Sequence, residues 1–105
     1  MFIFDIETDG LLDTLTKIHT ISIYDTTNNT LKSYDKQECK EAIELLDGSD
    51  ICGHNIISFD IPAIQKLYPN FKPKSVTDTL VQLRLAYADV KDMDLVQKKI
   101  PTKLY

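Results

Sequence analysis

A single α/β domain built on a mixed five-stranded sheet is the architecture this sequence predicts, and three observations carry it. An apolar N-terminal run, a turn signal at Asp9-Gly10 and two further strand-like segments at 18–24 and 30–34 make the pattern of an antiparallel meander. After residue 35 the pattern changes to helix, strand, helix, strand, helix, the alternation of an α/β fold. The chain has 105 residues, 43% of them hydrophobic, with only 3 Gly and 4 Pro. That is enough for one core and too apolar for a disordered tail.

Phe2-Ile3-Phe4 reads as a buried strand ending at Asp5. From Ile18 to Tyr24, Ile18, Thr20 and Ser22 fall on one side and His19, Ile21 and Ile23 on the other, which predicts a second strand. Asp25 to Asn29 is a polar turn, and Thr30 to Tyr34 returns as a third strand. Asp35-Lys36-Gln37-Glu38 has the spacing of a capping box. It opens a helix with Ala42, Ile43, Leu45 and Leu46 on one side, ending near Asp47-Gly48. Asp50 to Gly53 is a short fourth strand. Phe59 to Tyr68 predicts a helix with Ile61, Ile64 and Leu67 inward and Pro62 tolerated in its first turn. Ser75-Val76-Thr77 is a fifth strand, and Asp78 caps a last helix bearing Leu80, Val81, Leu83, Leu85 and Tyr87. Lys91 to Tyr105 is polar and basic and predicts no element.

The formal net charge of −4 argues against a general phosphate-binding surface. It does not argue against a metal-dependent nuclease, whose site is itself acidic and whose cations attract the phosphates. Cys39 and Cys52 are too few for a disulfide framework. Cys52 reads as a small core residue and Cys39 as a helix-surface one. With no signal peptide and no membrane-spanning apolar run, a reduced cytoplasmic setting without membrane contact is the expectation.

The chemistry is concentrated in three carboxylates. Asp5 and Glu7 lie two apart at the end of the first apolar run, so on a strand they share a face. Like charges that close repel unless a cation lies between them, and hard carboxylate oxygens suit Mg²⁺ or Mn²⁺. Asp60 follows the fourth strand and can reach the same sheet edge. Two-metal phosphodiester hydrolysis needs cations about 3.5–4 Å apart. Asp5 is placed to bridge them, Glu7 to complete one shell and Asp60 to hold the other. Each residue alone also fits a plainer role. Asp5 fits an exposed strand end, Asp60 a helix N-terminal acid near the positive end of the dipole, and Asn55 a turn.

FDIETDGLL and GHNIISFDIPAI resemble the first two motifs of the proofreading 3′–5′ exonucleases with a ribonuclease-H-like fold, the DnaQ-like or DEDD group. Weaker similarity elsewhere, including Thr16-Lys17-Ile18-His19 and Asp78-Thr79-Leu80-Val81, points to exonuclease domains of family A DNA polymerases from T-odd-type bacteriophages. The resemblance implies that Asp5, Glu7 and Asp60 are the metal ligands. It implies that Asn55 and Phe59 lie near the substrate strand. It implies that Thr8 lies at the edge that meets the terminal nucleotide, where Leu11 or Leu12 would wedge against a base. It implies two Mg²⁺ or Mn²⁺ ions in the complete domain, a single-stranded DNA 3′ end as substrate, and the remainder of a polymerase as partner, in the host cytoplasm for a phage protein.

The family's third motif, an Asp with a Tyr or His four or five residues before it, is not expected here: Tyr87 and Tyr105 have no Asp four residues downstream, position 91 being Lys and the sequence ending at 105, and His19 and His54 precede the wrong partners. The expectation is one incomplete exonuclease-like domain over residues 1–105, truncated at its C-terminus, with weak or no activity alone. Asp89, Asp92 and Asp94 read as solvated loop acids. A homodimer through the truncated face is a further expectation. Two other functional classes stay open. One is a non-catalytic nucleic-acid- or partner-binding module of the same fold; the other is a ribonuclease with the same ligands.

Overall fold

The computed structural model describes residues 1–87; residues 88–105, including Asp89, Asp92, Asp94 and Lys91 to Tyr105, lie outside the described residues. The order is β1 (Phe2–Thr8), β2 (Ile18–Asp25), β3 (Thr30–Tyr34), α1 (Cys39–Leu46), β4 (Asp50–Gly53), a single π-helical turn (Ile56–Asp60), α2 (Ile61–Leu67) and β5 (Ser75–Asp78). A third helix, α3, occupies 79–87. The sheet order is β3-β2-β1-β4-β5. β1 is central, antiparallel to β2 and parallel to β4, and β4 is parallel to β5. This is the mixed five-stranded sheet the sequence predicts.

Alternation along β1 sends Phe4 and Ile6 into the core and Ile3, Asp5 and Glu7 to the opposite face. Phe4 and Ile6 join Ile21, Ile23, Ala42, Ile43, Leu46, Ile51, Ala63 and Ile64 in one apolar cluster with α1 and α2. Ile3 is 41% exposed, so Phe2-Ile3-Phe4 is not a wholly buried run. The core lies on one face of β1, and strict alternation puts Ile3 on the other. β2 departs from strict alternation. Glu7 pairs with Thr20 and Thr8 with Ile18, so His19 is an extra residue at a bulge. The bulge lets Ile18 and Ile21 both be buried and leaves His19 exposed.

The Asp35–Glu38 box forms, but it closes the turn that leads into α1, whose own N-cap, Glu38, has no side-chain cap bond. Asp35 Oδ1 accepts from Gln37 N at 2.9 Å and Glu38 N at 3.1 Å, and Asp35 N donates to Glu38 Oε1 at 3.3 Å. Leu45 is 39% exposed, on the flank of the buried stripe. Cys39 is buried rather than on the helix surface, with its thiol toward the Asp35 carbonyl at 3.2 Å. Burial, then the charges of Asp35 and Glu38, push that thiol's pKa up. Cys52 is in the interior, as read from its apolar neighbours. The helix expected over 59–68 divides into the π-helical turn and α2, with Pro62 in the first turn of α2.

Gly53 ends β4 where the chain parts from β1. A Cβ there would meet the backbone oxygen of Phe4 at 2.8 Å and press into the Ile56 side chain. Gly53→Ala is expected to cost about 2 kcal/mol, as overpacking against backbone does. Urea denaturation measures it, and an unchanged midpoint would contradict this reading.

Candidate active site at the end of the central strand

β1 has β2 on one side and β4 on the other, so the direction of chain progression across the sheet reverses between β1 and β4. Crevices beyond strand C-termini at such reversals are where open α/β sheets bind ligands. β4 pairs with β1 only at Phe2 and Ile3, so β1 continues past it. Asp5 and Glu7 lie on that projecting part, exposed and on one face.

Asp60 comes to the same place from the π-helical turn, a feature that recurs at functional sites. Its Oδ2 accepts a hydrogen bond from Ile6 N at 3.3 Å, so it is tied to the backbone between Asp5 and Glu7. It is only 5% exposed. Burial foremost, then the charge of Asp5, push its carboxyl from 3.8 up to about 7; the Ile6 N–H pulls the other way and the Asp78 charge adds to the rise. The charge of Asp5 thus acts against ionisation of Asp60. Among the described residues, no three His, Cys, Asp or Glu side chains converge as a metal cluster. What is assembled is a repelling carboxylate pair with Glu7 one alternation farther along the same face. All donors are hard oxygens, and a divalent cation would relieve the repulsion, so this donor set fits Mg²⁺ or Mn²⁺.

The remaining predicted residues divide. Thr8 is at the end of β1, its hydroxyl donating to the Gly10 carbonyl at 2.7 Å. Leu11 is 72% exposed on the following loop. Leu12 instead packs against the core, with its carbonyl accepting from Lys66 Nζ at 3.1 Å. Phe59 is half-buried and also packs on the core. Asn55 has left-handed backbone, φ 60, at the entry to the π-helical turn.

Two positions do more than their neighbours in sequence suggest. Asp9, read as a turn residue, closes the whole 9–17 loop. Its Oδ1 accepts from Thr16 N at 2.8 Å and Lys17 N at 3.1 Å, and its Oδ2 accepts the Thr16 hydroxyl. These bonds, the Thr16 hydroxyl first, hold the Asp9 carboxyl well below the usual carboxylate range. Asp78 caps α3 through Leu80 N and Val81 N, as expected, and also accepts from Asn55 N and Ile57 N. Both roles join segments separated in the chain, and a single sequence carries no signal for them beyond the presence of an Asp.

Clefts of about 310 and 370 Å³ lie against α1 and the end of α2, and neither is lined by Asp5, Glu7 or Asp60. Of the three carboxylates, Asp5 and Glu7 are exposed and Asp60 is buried. No helix among the described residues is long and apolar enough to cross a membrane.

The sequence pattern of the RNase H superfamily matches residues 2–101. The DNA-directed DNA polymerase of Escherichia phage T7 is 31% identical over 120 aligned positions, covering 100% of this chain and 17% of that polymerase. The DNA-directed DNA polymerase of Enterobacteria phage T3 matches with the same identity and coverage. The chain thus spans 17% of the length of these relatives.

Proposed function

The chain belongs to the RNase H superfamily, and from that membership we propose that it forms part of a polymerase-linked 3′–5′ exonuclease domain. The substrate is the 3′ end of single-stranded DNA, and the product of each turnover is a nucleoside monophosphate. The observation that carries this reading is the tie between Asp60 and the Ile6 N–H, which sets a buried carboxylate against Asp5 at the end of the central strand. Nuclease folds of this kind use divalent metals in general, and the phage relatives are DNA polymerases.

In this reading Asp5, Glu7 and Asp60 hold Mg²⁺ or Mn²⁺. Bound there, such cations lower the pKa of the attacking water and stabilise the leaving oxygen. The chain's own residues supply position. The central strand fixes Asp5 and Glu7. The π-helical turn and the Ile6 N–H fix Asp60. The Asp9-closed loop presents Leu11 to the terminal base, next to Thr8. Asn55 and Phe59 flank the strand's path. In this reading the third carboxylate motif of the exonuclease group belongs to the rest of the polymerase, in the host cytoplasm. The absence of a three-carboxylate cluster among the described residues favours, as a second reading, a non-catalytic module that binds a nucleic-acid end or a polymerase partner.

Calorimetric titration of Mn²⁺ separates the two, followed by release of nucleotides from 3′-labelled single-stranded DNA and RNA. The exonuclease reading expects Mn²⁺ binding that weakens roughly tenfold or more in Glu7→Gln, by the scale at which even outer-shell ligands matter, with slow DNA hydrolysis at most. Absence of Mn²⁺ binding would sink the metal assignment and leave the binding module. Faster release from RNA would make it a ribonuclease.

A further inference from the structure

We propose that Asp78 is a positioning residue for this site, its carboxylate fixing the start of the segment whose other end places Asp60 against β1. The inference rests on the assignment of Asp60 to the site. Asp78 is 4% exposed, and its two oxygens accept four backbone N–H groups. Oδ1 takes Leu80 N at 2.9 Å and Val81 N at 3.3 Å, which is all that capping α3 requires. The other two bonds reach back to the loop after β4. Asn55 N lies 2.9 Å from Oδ1 and Ile57 N 2.9 Å from Oδ2.

Those two amides flank the point where the chain turns. Asn55 has φ 60 and ψ 27, a left-handed conformation that costs a non-glycine residue roughly 1 kcal/mol and persists where surrounding contacts over-determine it. The bonds to Asn55 and Ile57 provide that determination. From there the segment is a closed unit. Phe59 N donates to Asn55 O at 3.1 Å, and Ile61 N to Ile56 O. At its far end Asp60 accepts from Ile6 N. Residues 55–60 are thus held between two buried carboxylates, one fixing where the turn begins and the other where it meets the central strand. Burial pushes the Asp78 carboxyl up, but the bonds from Ile57, Asn55, Val81 and Leu80 outweigh it and hold the group below its ordinary value, so it stays ionised at neutral pH. His54 Nδ1 lies 2.9 Å from Thr79 Oγ1, which holds α3 beside the loop independently of Asp78.

Asp78→Asn tests the assignment, because it keeps the shape and replaces one acceptor by an NH₂ that cannot take an N–H. Ile64→Val, a core change costing about 1 kcal/mol, controls for general destabilisation. Amide exchange is followed by NMR in the metal-free protein, and Mn²⁺ affinity by calorimetry. In Asp78→Asn the amides of Asn55, Ile57 and Ile6 are expected to exchange at least about tenfold faster than in Ile64→Val. Mn²⁺ affinity is expected to fall about 10–100-fold, as for supporting groups around metal ligands. A plain helix cap would accelerate Leu80 and Val81 and leave Ile6 alone. Ile6 exchange equal to the control overturns the proposal, as does an unchanged Mn²⁺ affinity in a protein whose wild type binds the ion. A wild type that binds no Mn²⁺ defeats the exonuclease reading instead, and the Ile6 amide then still decides the role of Asp78.

Discussion

Asp60→Asn is expected to stabilise the metal-free protein at pH 8 by up to about 4 kcal/mol and to leave it nearly unchanged at pH 4. Burial and the nearby Asp5 charge raise the folded-state pKa of Asp60 from 3.8 to about 7. Across that interval the folded chain holds a proton that the unfolded chain has released. Stability from this group is therefore full below about pH 4, lost as pH rises through 7, and absent above it, the reverse of a salt-bridged carboxylate. Asparagine cannot ionise, and its side-chain oxygen can still accept the Ile6 N–H. Urea midpoints of wild type and Asp60→Asn in EDTA at pH 4, 6 and 8 measure the effect as a difference that opens with pH. Asp9, Asp25 and Asp78 have lowered values and change protonation below this window, so they do not mask it. Equal midpoints at pH 8 would mean that Asp60 ionises freely in the fold. Saturating Mn²⁺ is expected to close the gap, since a ligand that binds only the folded state stabilises it by mass action.

The second large effect belongs to Asp5. Asp5→Asn removes the charge that is the second cause of the rise at Asp60, so the Asp60 pKa falls but stays above 3.8, because burial is the larger cause. Carbonyl-carbon NMR titration of Asp60 reads that shift directly. The same change removes a proposed cation ligand. Changes to groups that merely support ligands cost about 10–100-fold in metal affinity, and loss of Asp5 is expected to exceed this. The two readouts are independent. A lowered Asp60 pKa with undiminished Mn²⁺ binding would confirm the pair and refute the metal role. An unmoved Asp60 pKa would show that the carboxylates do not face each other.

Much of the fold was legible because its signals are local. Alternation in β1, the Asp35–Glu38 hydrogen bonds and Pro62 in the first turn of α2 each act within a few residues, and each appears where expected. The errors are also physical. Ile3 was read into the core because an apolar run does not reveal which face is covered, and Cys39 was read onto the surface because helix periodicity leaves its flanks undetermined. His19 was assigned a face by strict alternation, which a bulge set by pairing with Glu7 and Thr8 interrupts.

Asp5, Glu7 and Asp60 stand out in the sequence as a set, because two acids share a face at the end of an apolar run and a third follows the fourth strand. Their types, their order and the shared face of Asp5 and Glu7 were determined there. The tertiary structure alone decided that Asp60 is buried against Ile6, that Leu12 turns inward while Leu11 stays exposed, and that Asp78 reaches back to Asn55 and Ile57. Those outcomes depend on hydrogen bonds and burial between segments from 21 to 54 residues apart, and no local pattern encodes which distant amide a buried carboxylate will find.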